Sequence, residues 1–143
     1  MVTAIVAVAV LPPVAMTSGT AVGPSRVHAT MTARQVVPPL SVRGAGAFHA
    51  TIRKVRTRWV IQWSLSYRRL TSPAISGQIR LGKPGQWGKP LLSLCRPCRV
   101  AAGGLRLISP SIRRAILAGR AYVLVETRRH PRGEIRGQVV RGR

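Results

Sequence analysis

Two short strand-like runs lie near the C-terminal end of the chain, and in each run two sets of side chains alternate. One run covers residues 122–127 and the other residues 135–140, and both are rich in β-branched residues. Alternation with a period of two is typical of β-strands. Pro131 and Gly133 lie between the runs, where they favour a reversal of the chain. The pattern therefore predicts a β-hairpin on which the rest of the chain packs.

A second pair of alternating runs lies in the middle of the chain. Phe48, Ala50 and Ile52 alternate with more polar neighbours, which predicts one strand. Its predicted partner has a strongly apolar face, with a mixed and solvated face opposite. The apolar face consists of Trp59, Ile61, Trp63, Leu65 and Tyr67. This face is expected to form the core.

Shorter strands and one helix complete the predicted pattern. Residues 35–40 contain Pro38-Pro39 and predict an extended edge segment. Strands are also predicted around residues 77–81, 91–95 and 105–107. Ser109-Pro110 is a helix start signal and Gly119 a helix end signal. The chain is thus predicted to be all-β, an antiparallel sandwich of seven to eight short strands with one short helix before the C-terminal hairpin.

The first 29 residues are predicted to form a signal-like or disordered segment. The apolar run 4–11 is too short to span a bilayer but has the length of a signal h-region. Two candidate cleavage sites follow the run, Gly19-Thr20-Ala21 and Val27-His28-Ala29, each with a small residue at its end. No basic residue precedes the apolar run. We expect export to the cell envelope or medium, no transmembrane span, and one domain over residues 31–141.

The charge of the chain is strongly unbalanced, because 24 Lys and Arg face 2 acids, for a net charge of +22. Such a field attracts polyanions, whereas a compositional bias toward arginine would leave the side chains merely solvated. The densest basic cluster is Arg128, Arg129 and Arg132 in the hairpin turn. These three residues are the candidate polyanion site.

The two acids, Glu126 and Glu134, limit the possible chemistry. Three kinds of site depend on carboxylates: a hydrolytic carboxylate pair, a Ser-His-Asp triad, and a Mg²⁺ or Ca²⁺ site. Each would need nearly all of the acidic residues of the chain in one place. No catalytic or metal-binding residues, cofactor or small-molecule substrate are therefore predicted. Glu134 and Arg136 lie two residues apart on a strand, and we expect Glu134 to form a structural ion pair with an arginine, Arg136 included.

Cys95 and Cys98 form a Cys-x-x-Cys motif without the strand-then-helix context of a redox fold. Two cysteines in an exported chain favour a local disulfide. Free thiols, a redox site and a metal site remain alternatives.

The order of these motifs resembles the chordin-type (CHRD) domain over about residues 31–141. The C-terminal part carries the resemblance most clearly, through Ala121-Tyr122-Val123, Thr127 and the segment from His130 to Val140. Weaker matches are Val37-Pro38-Pro39 and the glycine-punctuated segment that starts at Gly77. The resemblance implies an immunoglobulin-like β-sandwich, no catalytic activity, and protein interaction outside the cell.

Three departures from the family pattern concern possible ligands. Family members commonly have Glu before Val-Pro-Pro, where this chain has Val36. They commonly have His-Ile-His at Gln78-Ile79-Arg80, and His at Glu126. A metal site of neutral imidazoles cannot be built from glutamine and arginine.

Three hypotheses for function follow. The first is a secreted or envelope-associated, non-catalytic domain that binds a protein or envelope component. The second is a module that binds nucleic acid or an anionic cell-wall polymer. The third is an enzyme, either a thiol redox protein or a metal-dependent one.

Overall fold

The computed structural model describes residues 9–15, 22–99 and 101–142. Nine strands, one α-helix and one short 3-10 helix follow each other along the chain. The strands are β1 (Ser25–Thr32), β2 (Ala45–Val55), β3 (Arg58–Arg68), β4 (Ala74–Leu81), β5 (Pro90–Cys95), β6 (Ala101–Ile108), β7 (Ala121–Thr127), β8 (Ile135–Gln138) and β9 (Val140–Arg141). The helices are the 3-10 helix Ala33–Gln35 and α1 (Pro110–Leu117).

All nine strands belong to one antiparallel sheet in the order β5-β4-β7-β8-β1-β2-β3-β6, and β9 pairs with β1. The two end strands β5 and β6 approach each other, so the sheet is nearly closed and barrel-like. The all-β antiparallel class and the single short helix are confirmed. The strand count is one higher than the upper prediction, and the immunoglobulin-like sandwich is not confirmed.

The seam of the sheet lies where its first strand meets its last strands. The strand β1 pairs with β8 through Thr32 and Arg136. It pairs with β9 through Val27–Arg141 and His28–Val140. By contrast, β2 and β3 pair along their whole length. The N-terminal and C-terminal parts of the domain are therefore joined by few backbone pairs.

The core fills the inside of this sheet. Phe48, Ile61 and Leu65 come from β2 and β3, whereas Ile79 and Val123 come from β4 and β7, and all five are essentially inaccessible. The predicted apolar face of β3 is confirmed, with Ile61, Trp63 and Leu65 buried and its two outer aromatic residues half-buried. Val60, predicted on the solvated face, is also buried.

The helix α1 begins and ends as its sequence predicts. Ser109 is the N-cap, and its hydroxyl accepts a hydrogen bond from the Ile112 amide at 3.2 Å. Gly119 follows the helix with φ +73°, a left-handed conformation that favours glycine. Ile116 buries the inner face of the helix against the core.

The structure adds detail to two predictions near the N-terminus. Residues 36–39 form no strand: the 3-10 helix precedes them and a loop continues through them. In addition, β1 begins at Ser25, inside the segment assigned to the leader, and Val27 and Ala29 pack in the core. Most of the predicted apolar h-region and the Gly19-Thr20-Ala21 site lie outside the described residues.

Candidate functional site

The outer surface of β4 and β7 brings together two of the positions that depart from the family pattern. The β4–β7 register sets Ser76 opposite Glu126 and Gln78 opposite Leu124. The Gln78 amide donates a hydrogen bond to one carboxylate oxygen of Glu126. The Ser76 hydroxyl donates to the other oxygen at 3.0 Å. Glu126 is therefore engaged on both oxygens.

The third position, Arg80, turns toward the β4–β5 loop instead. Its Nε donates to the Gly88 carbonyl at 2.8 Å, and its guanidinium lies 5.3 Å from the centre of the Trp87 ring. The Trp87 indole in turn donates to the Val37 carbonyl at 2.8 Å. Arg80 thus supports the loop and does not join Gln78 and Glu126.

Glu134 is completely buried and has three hydrogen-bond donors around its carboxylate. The Thr71 amide donates at 2.8 Å and the Thr127 hydroxyl at 2.9 Å, and the Thr71 hydroxyl also donates. These contacts replace solvation of the charge and join the β3–β4 loop to β7.

Arg136 is also buried, on the outer surface of the sheet. Its two terminal nitrogens donate to the carbonyls of Gln86 and Lys83 at 2.7 and 2.9 Å. Its guanidinium lies 3.5 Å from the centre of the Tyr122 ring. Burial lowers the pKa of the Arg136 guanidinium below the ordinary value for arginine.

The predicted pairing of Glu134 with Arg136 is therefore wrong. Glu134 binds threonine donors, and Arg136 binds backbone carbonyls. The prediction assumed regular strand alternation, but β8 begins only at Ile135, and Gly133 with φ +118° turns the chain just before it. The charge of Glu134 is therefore compensated by threonine donors and the charge of Arg136 by backbone carbonyls.

Cys95 and Cys98 are joined by a disulfide, with their sulfur atoms 1.97 Å apart. The bridge closes the turn that follows β5 and packs on β4: a Cβ atom on Gly77 would lie 3.1 Å from one sulfur and 3.2 Å from the other. The bridge thus ties this turn closely to the neighbouring strand.

The three arginines of the candidate polyanion site are exposed but diverge. The Arg129 amide donates to the Ser72 hydroxyl at 2.9 Å, and the Arg128 amide donates to the Pro73 carbonyl at 3.4 Å. Arg132 instead lies 5.8 Å from the centre of the Trp87 ring. Arg128 and Arg129 therefore flank the β3–β4 loop, whereas Arg132 flanks the β4–β5 loop.

A family model for the CHRD domain matches residues 27–139. The chain belongs to the CHRD domain family. The match runs from the third residue of β1 to the end of β8 and extends four residues further toward the N-terminus than the resemblance seen in the sequence. CHRD domains are typically extracellular and in general not enzymes. No curated protein and no solved structure matches the chain.

This CHRD domain does not offer the ligands of an imidazole-based metal site at the three positions where family members commonly have histidine. Gln78 and Glu126 bind each other, and Arg80 is a cation committed to the β4–β5 loop. Among the described residues, no group of three or more His, Cys, Asp or Glu side chains could hold a metal ion. In the same part of the chain, no helix has both the length and the apolar character needed to cross a bilayer.

The sequence did not reveal a cleft of this CHRD domain, which we call the tip cleft. It lies beside the β3–β4 loop and has a volume of about 770 Å³. Its lining residues are Tyr67, Arg68, Arg69, Leu70, Ser72, Pro73, Ala74, Cys98 and Arg99. The Arg68-Arg69 pair and the Cys-x-x-Cys motif are visible in the sequence, but their proximity depends on the sheet closing between β5 and β6.

Proposed function

We propose that the chain is a non-catalytic CHRD domain that acts outside the cell, secreted or held in the envelope, and binds a protein or matrix partner. The observation that carries this proposal is the match to the CHRD family. The engagement of both glutamates supports it, because each carboxylate already accepts structural hydrogen bonds. A carboxylate held in this way is a poor candidate for general acid–base work.

The position of β1 favours one processing site over the other. Cleavage after Ala29 would remove Val27 and Ala29 from the core, and with them most of β1. Cleavage after Ala21 would leave β1 whole. We therefore expect the mature chain to begin at Val22.

Cell fractionation followed by N-terminal sequencing of the recovered protein tests this proposal. The expected result is a processed chain in the envelope or the medium, beginning at Val22. Recovery of the intact chain in the cytoplasm would contradict the extracellular assignment. A mature chain beginning at Thr30 would contradict the role of β1 in the core.

A second candidate function is binding of nucleic acid or an anionic cell-wall polymer by Arg128, Arg129 and Arg132. Two observations favour it: the three side chains are exposed, and both glutamates of the chain are buried or half-buried. Little negative side-chain charge therefore opposes the basic surface. Affinity for DNA and for a teichoic-acid-like polymer should fall steeply with salt. A flat salt dependence would exclude this function.

The matched test replaces all three arginines by glutamine and compares the product with an Arg26→Gln, Arg34→Gln, Arg53→Gln variant. The second set also consists of exposed arginines, so both variants lose the same charge. Only the hairpin variant should reduce the logarithmic salt slope, by about 0.9 for each phosphate of duplex DNA that is no longer neutralised. Equal slopes in the two variants would mean that the overall charge alone is responsible.

A further inference from the structure

We propose that the tip cleft binds an acidic peptide segment of a partner protein, in which carboxylates are interspersed with apolar side chains. This inference rests on the proposed function and deepens it, because it names the chemistry of the partner. Nothing in the CHRD match points to this cleft.

The rim of the tip cleft is basic. Arg68, Arg69 and Arg99 line it, and all three are exposed. The backbone amides of Arg128 and Arg129 bind Pro73 and Ser72 of the cleft wall, so these two exposed arginines lie next to the cleft. A guanidinium offers paired donors that match a carboxylate in geometry as well as in charge.

No acid competes for these arginines at the cleft. The acid nearest to the β3–β4 loop is Glu134, which is fully buried and already accepts hydrogen bonds from Thr71 and Thr127. Burial also raises the pKa of Tyr67 above 10.0, so its hydroxyl remains a hydrogen-bond donor at neutral pH. The polar groups of the cleft therefore favour an anionic ligand.

The wall of the cleft is largely apolar, and this separates a peptide from a plain polyanion. Leu70, Pro73, Ala74, Cys98 and the ring of Tyr67 contribute carbon or sulfur surface. A polyphosphate or polyglutamate chain would satisfy the arginines but leave this surface against water. A peptide that alternates acidic with apolar or aromatic residues would cover both, as interface cores commonly do.

The β3–β4 loop is held in place before any ligand arrives. The Thr71 amide donates a hydrogen bond to the Glu134 carboxylate, and the Ser72 hydroxyl accepts one from the Arg129 amide. Arg69 adopts the left-handed conformation, with φ +57°, at the bend of the loop. A preformed site lowers the ordering cost of binding.

The test measures fluorescence anisotropy of labelled probes with the purified, disulfide-bonded chain at about 0.15 M salt. The probes are a short peptide that alternates Glu with Leu and Tyr, a polyglutamate of equal charge, and inorganic polyphosphate. The mixed peptide should bind at least about tenfold more tightly than polyglutamate. The Arg68→Glu, Arg99→Glu variant should weaken its binding by at least about tenfold.

Two matched controls distinguish binding at the tip cleft from nonspecific attraction to the positive charge of the chain. The Arg34→Glu, Arg53→Glu variant makes the same charge change at exposed positions outside the cleft lining and should weaken binding by less than about threefold. Pro73→Ser should weaken binding of the mixed peptide and leave binding of polyglutamate unchanged, because it replaces apolar surface by a small polar side chain and keeps every arginine of the cleft.

Equal losses in the two charge-reversal variants would overturn the assignment of the cleft. Binding of polyglutamate or polyphosphate as tight as that of the mixed peptide would overturn the peptide assignment and assign the arginines to plain polyanions. Either result would leave the proposed extracellular function standing. Recovery of the intact chain in the cytoplasm would contradict the proposed function whatever the peptide result.

Discussion

At the scale of single residues, the buried carboxylate of Glu134 organises its surroundings. It accepts hydrogen bonds from Thr71 in the β3–β4 loop and from Thr127 at the end of β7. The two threonines are far apart in sequence, so one side chain fixes both a strand end and a loop that lines the tip cleft. Loss of the carboxylate would leave the buried Thr127 hydroxyl and the two half-buried donors of Thr71 without this partner.

We expect Glu134→Ala to lower the free energy of unfolding by about 3–5 kcal/mol, since it removes every acceptor at once. Glu134→Gln should lose about half as much, because the amide keeps one carbonyl oxygen. Urea denaturation monitored by tryptophan fluorescence measures both variants.

The control is Glu126→Ala, which makes the same change of charge at a half-buried position. It should cost about 1 kcal/mol or less, because Gln78 and Ser76 can bind water instead. A loss as large as that of Glu134→Ala would show that charge alone, and not the buried hydrogen bonds, is responsible.

Gly88 permits a very close approach between the β4–β5 loop and β4. A Cβ atom at this position would lie 1.4 Å from the Leu81 carbonyl oxygen, which is backbone and cannot rotate away. We expect Gly88→Ala to destabilise the domain by about 3 kcal/mol or more.

Gly23→Ala provides the comparison, because a Cβ atom there would meet nothing within 4 Å. Its midpoint in a thermal melt should match that of the unmodified chain. An unchanged midpoint for Gly88→Ala would mean that the loop can move away from β4 at little cost.

Residue chemistry was predictable from the sequence only in part. The two glutamates stood out by their rarity, and the need of Glu134 for a partner followed from the cost of burying a charge. The partner did not follow, because Thr71 precedes Glu134 by 63 residues. Nothing local in the sequence shows that such distant residues meet.

At the scale of elements, alternation predicted the strands whose two faces differ. The apolar face of β3 and the capped helix α1 are such cases. The strand β7 is buried on both faces, because the β4–β5 loop and Arg136 cover Tyr122 from outside. The groups that cover the outward face of β7 come from distant parts of the chain, so the alternation pattern of this strand does not predict its burial.

The strand β1 was missed for a different reason. Residues 25–29 adjoin an export-like stretch, so the predicted leader includes them and no strand is predicted there. Val27 and Ala29 become core residues through pairing with β2 and β9. The family match from residue 27 favours the strand reading.

The Cys95–Cys98 bridge constrains only a short turn. In the chain-entropy model, such a small loop contributes about 2 kcal/mol. We expect the Cys95→Ser, Cys98→Ser variant to remain folded and to lose about that amount or less, measured by urea denaturation. Unfolding of this variant at room temperature would mean that the bridge supports the fold and not just the turn.

At the scale of the whole molecule, the net charge of +22 acts against compaction. The two glutamates are engaged internally, so the arginines largely repel one another across the surface. Salt screens such repulsion over about 8–10 Å at physiological ionic strength. The urea midpoint should therefore rise between about 0.01 M and 0.15 M sodium chloride.

Replacing sodium chloride by sucrose of equal osmolarity serves as the control, because sucrose carries no charge. A midpoint that falls with added salt would contradict the prediction. That result would mean that attractive charge contacts outweigh repulsion in the folded domain.

The tip cleft also belongs to this scale, since no single element contains it. It combines the end of β3, the β3–β4 loop and the turn after β5. The sequence predicts each part separately, but the cleft exists only once the sheet has curled.

The seam between β1 and the strands β8 and β9 has a consequence for biogenesis. A ribosome releases the residues of β1 more than a hundred positions before those of β9. The strand β1 therefore lacks its partners β8 and β9 along one edge until the C-terminal end of the chain has been synthesised. A chain with this topology completes its sheet late in synthesis. A translocase that transports unfolded chains would therefore encounter this chain before its sheet is complete.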